Sequence, residues 1–294
     1  MNRVAVLGTG LMAAAMTERL LDRGFEVHVW NRTPEPAAQL AERGAVAHTD
    51  AADAVRGADV VITMLANGGA VEDMMLRQDV LAAIRPGGVW AQMGTIGVDA
   101  TESLAAEVAG RRSEVAFVDA PVTGTRGPAR HGQLTILASG PDAARAAIDP
   151  VFAALGRRVL WLGAAGQGSR MKLVLNTWLA FEVEAAAEVS AAADRLGIPY
   201  RSLREAAEGT PLASVAALAR LEQMEKGDHS ANFPLEWALK DLDLVAAAAG
   251  TQAVPVAGAI ADRWRGLVVQ GYGRLDVSAA RLGLDSGTKQ NVPA

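Results

Sequence analysis

Val6 to Leu20 reads VLGTGLMAAAMTERL. It holds either a loop whose backbone is bare enough to lie against a phosphate or an ordinary tight turn in an Ala-rich chain, and the choice decides the fold. Val4-Ala5-Val6-Leu7 ahead of it is a short continuous apolar run, as expected of a strand buried on both faces of a parallel sheet. Behind it Met12, Met16, Leu20 and Leu21 recur at helical spacing, and Gly24 closes the run. Gly8-Thr9-Gly10-Leu11-Met12-Ala13 therefore matches G-x-G-x-x-A between a strand and a helix, the setting in which this pattern binds a dinucleotide. The first glycine permits the turn, the second lets a pyrophosphate approach the backbone, and Ala13 lets helix and strand pack closely. The phosphates would sit at the helix N-terminus, where free N–H groups and the dipole favour an anion.

The alternation continues outward from this motif. Glu26–Trp30, Ala45–His48, Asp59–Leu65, Gly88–Met93, Ala116–Val122, Leu134–Ser139 and Arg158–Leu162 read as strands, with helical stretches such as Thr101–Arg111 and Asp142–Leu155 between most of them. Strands alternating with helices imply βαβ units, hence an α/β, Rossmann-type doubly wound sheet. From Gln167 onward the pattern is helical only, with breaks at Gly197-Ile198-Pro199, Gly209-Thr210-Pro211 and Gly250. The expected organisation is a dinucleotide-binding domain over 1–163 and an all-α domain over 164–294, with a frayed polar end from Gly287 to Ala294.

Composition narrows the function. Half of the 294 residues are hydrophobic but only 4% are aromatic, so the core must be Ala, Leu and Val. The net charge of -5 offers no basic patch for nucleic acid, and the absence of Cys excludes disulfides, zinc–thiolate sites and thiol catalysis. His28, His48, His131 and His229 have no ligand-like spacing, so no metal site is expected. No leader-like segment precedes Arg3 and no apolar run reaches the ~18 residues of a membrane span, so a soluble cytoplasmic protein is the default.

Two further stretches carry chemistry. The second strand ends Trp30-Asn31-Arg32-Thr33 with no carboxylate before Glu35. An NAD site usually has Asp or Glu there for the ribose 2′-OH. Arg32 can instead pair with a 2′-phosphate, with Asn31 and Thr33 adding hydrogen bonds, which favours NADP over a merely solvated turn. Later, Lys172 and Asn176 stand one helical turn apart, in line with Leu179, Val183, Ala186 and Ala187, while Glu184 and Glu188 fall on roughly the opposite side. Lys172 thus belongs to an apolar rather than a solvated face, although a Lys near a helix start also commonly reaches back to water.

On these residues the chain resembles the β-hydroxyacid dehydrogenase family, which includes 3-hydroxyisobutyrate dehydrogenase and the glyoxylate and succinic semialdehyde reductases. The glycine loop is similar to the family's cofactor signature, with Ala13 where Gly is usual. Met93-Gly94-Thr95-Ile96 resembles its Ser-Thr-Ile segment beside the nicotinamide, with Gly94 in place of Ser. Asp119-Ala120-Pro121-Val122-Thr123-Gly124-Thr125 resembles its Asp-Ala-Pro-Val-Ser-Gly-Gly substrate loop, with Thr125 replacing a Gly. Lys172 and Asn176 match its catalytic Lys and substrate-binding Asn, and Phe233–Leu242, with Lys240-Asp241, resembles the late helix whose Lys approaches the cofactor.

The resemblance implies an oxidoreductase moving hydride between NADPH and a small carboxylate-bearing aldehyde, keto acid or β-hydroxyacid. Lys172 would be proton donor or acceptor, with Thr123, Gly124, Thr125 and Asn176 on the substrate. Gly8, Thr9, Gly10, Leu11, Met12, Asn31, Arg32, Thr33, Met64, Leu65, Thr95 and Lys240 would lie on the cofactor. It also implies a homodimer or dimer of dimers, for which Trp178 is either interface or pocket wall, as is Trp237. Two alternatives stand. An imine reductase shares the architecture but commonly has Asp or Tyr at the proton-donor position, and a non-catalytic NADP-binding sensor would not need the Lys172/Asn176 pair. A true 6-phosphogluconate dehydrogenase would carry a longer helical domain.

Overall fold

The computed structural model describes residues 3–284, so the expected frayed end at Gly287–Ala294 lies outside the described residues. The chain divides into two units, Met1–Leu173 and Val174–Ala294.

The first unit opens with β1 (Arg3–Leu7), α1 (Leu11–Asp22), β2 (Glu26–Trp30), α2 (Pro34–Ala41), β3 (Val46–His48), α3 (Ala51–Val55) and β4 (Val60–Thr63). It continues through α4 (Gly68–Glu72), α5 (Val80–Ala83), β5 (Val89–Gln92), α6 (Val98–Arg111) and β6 (Ala116–Asp119). These six strands form one parallel sheet in the order β3-β2-β1-β4-β5-β6. Val4 and Val6 enter one core layer and Ala5 and Leu7 the other, which is why β1 is apolar without alternation. The strand order turns back at β1 and β4, and ligands of such sheets bind beyond the carboxyl ends at that point. The glycine loop begins there.

The stretch expected as one strand from Ala116 to Val122 is two. Pro121 has no N–H for a parallel ladder, and Asp119, which ends β6 in register with Gln92, exchanges backbone bonds with Ser139 on its other side (2.9 and 2.7 Å). The chain passes into a second sheet of β7 (Val122–Thr123), then α7 (Arg126–Arg130), β8 (Leu134–Ala138), α8 (Arg145–Leu155) and β9 (Gly156–Trp161). Here β7 runs antiparallel to β8, and β8 parallel to β9.

The long helix α9 (Gln167–Arg195) runs through the division between the units. It is followed by α10 (Tyr200–Ala207), α11 (Val215–Lys226), α12 (Leu235–Ala249) and α13 (Pro255–Val269), and among the described residues no strand follows β9. Val183, Ala187, Leu235, Leu242, Trp264 and Ala280 pack the core of the helical unit. One expectation fails here. Glu184 is not on a solvated face: it is buried and held bidentately by Arg263, with Trp264 Nε1 donating to its Oε2 at 2.7 Å. Glu188 is exposed, as are Val174, Trp178 and Val189, so the outward side of α9 is largely apolar.

Candidate active site

The two glycines of the loop answer to different demands. Gly8 has φ +95°, and a Cβ there would stand 2.6 Å from the Met64 carbonyl oxygen. Its N–H donates to Trp30 O at 2.8 Å, while Met64 N–H donates to Leu7 O at 3.0 Å, so the turn is pressed between the ends of β2 and β4. Gly10 has an ordinary φ of -67°, and a Cβ there would meet nothing within 4 Å. No packing within the protein requires that glycine. It heads α1 with no side-chain cap and no acidic residue in the first turn. The buried Thr9 Oγ1 has no hydrogen-bond partner among the described residues. An open Cβ direction, an uncapped helix start and an orphaned hydroxyl together fit a pyrophosphate. Ala13 is buried in the core, as its place in the motif requires.

Asn31 braces this loop. Its Oδ1 accepts from Thr9 N–H at 3.1 Å, and its Nδ2 donates to Thr33 O and Thr33 Oγ1, both at 2.8 Å. The Asn31 amide is therefore occupied within the protein. What faces solvent is Arg32, exposed and in no ion pair among the described residues, and the Thr33 hydroxyl proton. His28 and His48, scattered in the sequence, meet across β2 and β3 with Nδ1 and Nε2 2.7 Å apart. Among the described residues no group of three or more His, Asp or Glu could hold a metal ion, and no helix is long and apolar enough to cross a membrane.

Beyond β4 and β5 a buried ladder fixes the next segment. Trp90 Nε1 donates to Thr63 Oγ1 (2.9 Å), Gln92 Nε2 donates to Gly94 O (2.7 Å), and Gly94 N–H returns to Gln92 Oε1 (3.2 Å). A Cβ at Gly94 would stand 2.9 Å from Leu65 O, so Leu65 and the half-buried Thr95 flank a turn that here admits only glycine comfortably. Met64, Leu65 and Thr95 thus join the glycine loop along the carboxyl edge of the sheet.

Thr123 ends β7, paired with Thr135. Gly124 follows at φ +121°, and a Cβ there would press on Leu134 (2.9 Å) and Pro128 (3.2 Å). Thr125 heads α7 without using its side chain as a cap. The loop therefore presents backbone donors and two hydroxyls. Asp119, four residues before Thr123, is fully buried. Burial pushes its carboxyl above the usual carboxylate range, against the pull of hydrogen bonds from Ser169, Ser139 and Gly166.

Lys172 is half-buried on the second turn of α9, and Asn176 is buried one turn on. Asn176 Nδ2 donates to Asp241 Oδ2 at 2.5 Å, and Lys240 Nζ lies 2.8 Å from Asp241 Oδ1. Two expected site residues, Asn176 and Lys240, therefore converge on a third, Asp241, to which the sequence reading gave no role. Asp241 is buried on α12, but Glu236, Lys240 and Asp243 on the same helix are charged too, so the sequence does not mark it out. Trp178 is 63% exposed and Trp237 half-buried.

Comparison with known proteins finds matches across both halves of the chain. The family model described as the NAD binding domain of 6-phosphogluconate dehydrogenase matches residues 3–163, and that described as the NAD-binding part of NADP-dependent 3-hydroxyisobutyrate dehydrogenase matches residues 166–282. The chain is 32% identical to glyoxylate/succinic semialdehyde reductase 1 of Arabidopsis thaliana, over 94% of this chain and 96% of that one. It is 31% identical to the NAD-dependent L-serine dehydrogenase of Pseudomonas aeruginosa, over 96% of this chain and 97% of that one. A solved Mycobacterium tuberculosis 3-hydroxyisobutyrate dehydrogenase with L-serine is 28% identical, with TM-score 0.87 over 97% of this chain and all (100%) of that one. With matches across both halves and a dinucleotide loop of the required geometry, the chain belongs to the β-hydroxyacid dehydrogenase family of NAD(P)-dependent oxidoreductases.

Proposed function

We propose that the protein reduces a small carboxylate-bearing aldehyde or keto acid with NADPH, or oxidises the corresponding β-hydroxyacid, with Lys172 moving the proton. The observation that carries this is the half-buried Lys172 one helical turn from Asn176, whose amide is oriented by the buried Asp241. Because Asn176 gives one N–H to Asp241, its carbonyl oxygen and second N–H remain for substrate or for the Lys172 ammonium. The bound nicotinamide supplies or accepts the hydride. In reduction, negative charge develops on the substrate oxygen; the Lys172 ammonium hydrogen-bonds that oxygen and then gives it a proton, whereas in oxidation Lys172 is neutral and takes one. Thr123, Gly124 and Thr125 hold the substrate carboxylate through hydroxyls and backbone N–H groups. Gly8, Thr9, Gly10, Leu11 and Met12 take the pyrophosphate, Arg32 the 2′-phosphate beside Asn31 and Thr33, and Met64, Leu65, Thr95 and Lys240 line the remainder of the cofactor.

The protein also acts as a homodimer or dimer of dimers. Val174, Trp178 and Phe181 repeat at three- and four-residue steps along one side of α9, and Val189 continues the stripe two turns on. An apolar stripe of this kind on a surface helix marks an interface with another chain.

The test is a panel of glyoxylate, succinic semialdehyde, methylmalonate semialdehyde and a cyclic imine, each with NADPH and NADH, on wild type and Lys172→Ala. Lys172→Ala should lower carbonyl reduction by at least ~100-fold with NADPH binding retained, since general acid catalysis contributes about 10²–10⁴-fold. Full carbonyl reductase activity in the variant refutes the role of Lys172. Turnover of the imine alone, in wild type and variant alike, indicates an imine reductase. No turnover of any substrate by wild type indicates a non-catalytic NADP-binding protein.

A further inference from the structure

We infer that Asp119 is a positioning residue for Lys172: its buried carboxylate fastens the first turn of α9 to the end of β6 and so fixes the ammonium relative to the Thr123–Thr125 loop. The inference rests on the reading of Lys172 as proton donor.

Four hydrogen bonds converge on the Asp119 carboxylate. Oδ2 accepts from Gly166 N–H (3.1 Å), Ser169 N–H (2.8 Å) and Ser139 Oγ (3.0 Å), and Oδ1 accepts from Ser169 Oγ (2.8 Å). Every partner is a donor, so an ionised carboxylate satisfies the whole set, while an amide in its place would turn an N–H₂ group towards other donors. The helix start cannot withdraw from this contact and remain packed. A Cβ at Gly168 would lie 2.2 Å from Leu137 O, so the backbone of α9 rests directly on β8, and Gly168 N–H donates to Ser139 Oγ at 2.9 Å. The network extends to the segment after Thr95: Ser169 Oγ lies 3.0 Å from Thr101 Oγ1, which in turn donates to Gly97 O at 2.7 Å. One buried cluster thus ties together the three segments that carry the proposed proton donor, substrate loop and cofactor contacts.

Capping a helix does not require this arrangement. A Ser, Thr or Asn at the N-cap performs that task without burying a charge, and a buried carboxylate is tolerated only where donors surround it as here. Among the described residues no cation pairs with Asp119. Neighbouring charges are already matched: Arg170 on α9 pairs with Glu102 on α6 at 2.6 Å, and β8 carries no charged residue. Lys172 follows Ser169 by three positions and lies on the same side of α9. The bonds from Ser169 to Asp119 therefore hold the turn from which the Lys172 side chain leaves.

The experiment compares wild type, Asp119→Asn, Ser169→Ala and Lys172→Ala for kcat and KM of aldehyde reduction and for NADPH binding by fluorescence. Asp119→Asn should turn over about 100-fold more slowly, the cost of a small misplacement of a reacting group, with NADPH binding and KM little changed. Ser169→Ala removes only the Oγ–Oδ1 bond and should lose several-fold in kcat alone. Unchanged kcat in Asp119→Asn overturns the inference, as does a fall in kcat accompanied by a proportionate loss of NADPH binding. If Asp119→Asn does not fold, Ser169→Ala decides, and wild-type kcat in it overturns the inference. Full activity in Lys172→Ala refutes the proposed function instead, whereas an inactive Lys172→Ala beside an active Asp119→Asn refutes this inference alone.

Discussion

Replacing Gly8 and Gly10 separately by Ala should break the molecule in two different ways. At Gly8 the new methyl meets a backbone conformation of φ +95° and the Met64 carbonyl oxygen at 2.6 Å. The first costs about 1–2 kcal/mol for an L-residue and the second about 1–3 kcal/mol, as for overpacking against atoms that cannot rotate away. Together they remove roughly 2–5 kcal/mol, which in a chain of this size lowers Tm by roughly 4–20 °C. At Gly10 the methyl enters open space from an ordinary φ of -67°, so stability should hold within about 0.5 kcal/mol. What Gly10→Ala should lose is cofactor. NADPH at about 100 times its Kd raises stability by ~2.7 kcal/mol, and a methyl under the pyrophosphate should weaken binding at least ~10-fold, or ~1.4 kcal/mol. Thermal scans of both variants with and without NADPH, and NADPH titration by fluorescence, read the two effects apart. A Gly10→Ala variant that binds NADPH like wild type would show that the pyrophosphate does not lie on this loop. A Gly8→Ala variant with wild-type Tm would show that the contact with β4 is not as tight as the geometry states.

Three further outcomes follow from the site. Arg32→Ala should weaken NADPH about ten-fold or more and leave NADH unchanged, since a lost contact to a charged phosphate costs about 1.5–3 kcal/mol; equal losses for both cofactors in parallel titrations would sink the NADPH assignment. Trp178→Glu, which places a charge on the apolar side of α9, should reduce the mass seen by light scattering at micromolar concentration, and a wild type that is already monomeric refutes the proposed assembly. Gly94→Ser restores the residue usual in the resembled family but sets its Cβ 2.9 Å from Leu65 O, so it should cost about 1–3 kcal/mol in chemical denaturation unless the Leu65 turn moves.

The sheet was legible because its signal is local. Val4 to Leu7 is apolar on both faces, the helix after it keeps its spacing, and Gly8-Thr9-Gly10 punctuates the two. Lys172 and Asn176 stand out as a candidate pair for the same reason, since they are one helical turn apart. Features that depend on distant partners were not. Ala116 to Val122 reads as one apolar run, and nothing in it says that the parallel ladder will end at Asp119, which also bridges to Ser139. Asn31 was expected on the phosphate, but its amide is taken by Thr9 and Thr33, a geometry set by how closely the loop folds onto β2. Asp241 has no local mark in the sequence, because its partner Asn176 is 65 positions away. Glu184 was assigned to solvent by a helical wheel that cannot know which of its faces α13 will cover.

That last carboxylate acts as a detent. Helix α9 has 29 residues, and much of its buried side is Ala and Val, a smooth surface along which neighbouring helices could slide. Glu184 interrupts it. Its two oxygens are matched to Arg263 and Trp264 on α13, and Arg263 Nη2 also donates to Ala280 O at 2.8 Å. A slip of one turn, about 5.4 Å, would strand both a carboxylate and a guanidinium among methyl groups, at about 3–5 kcal/mol for an uncompensated buried charge. Neighbouring registers of the bundle are therefore separated from the native one by a discrete step rather than a slope. A chain so rich in alanine keeps a single alignment of α9 against α13 because one ion pair in its interior fits only there.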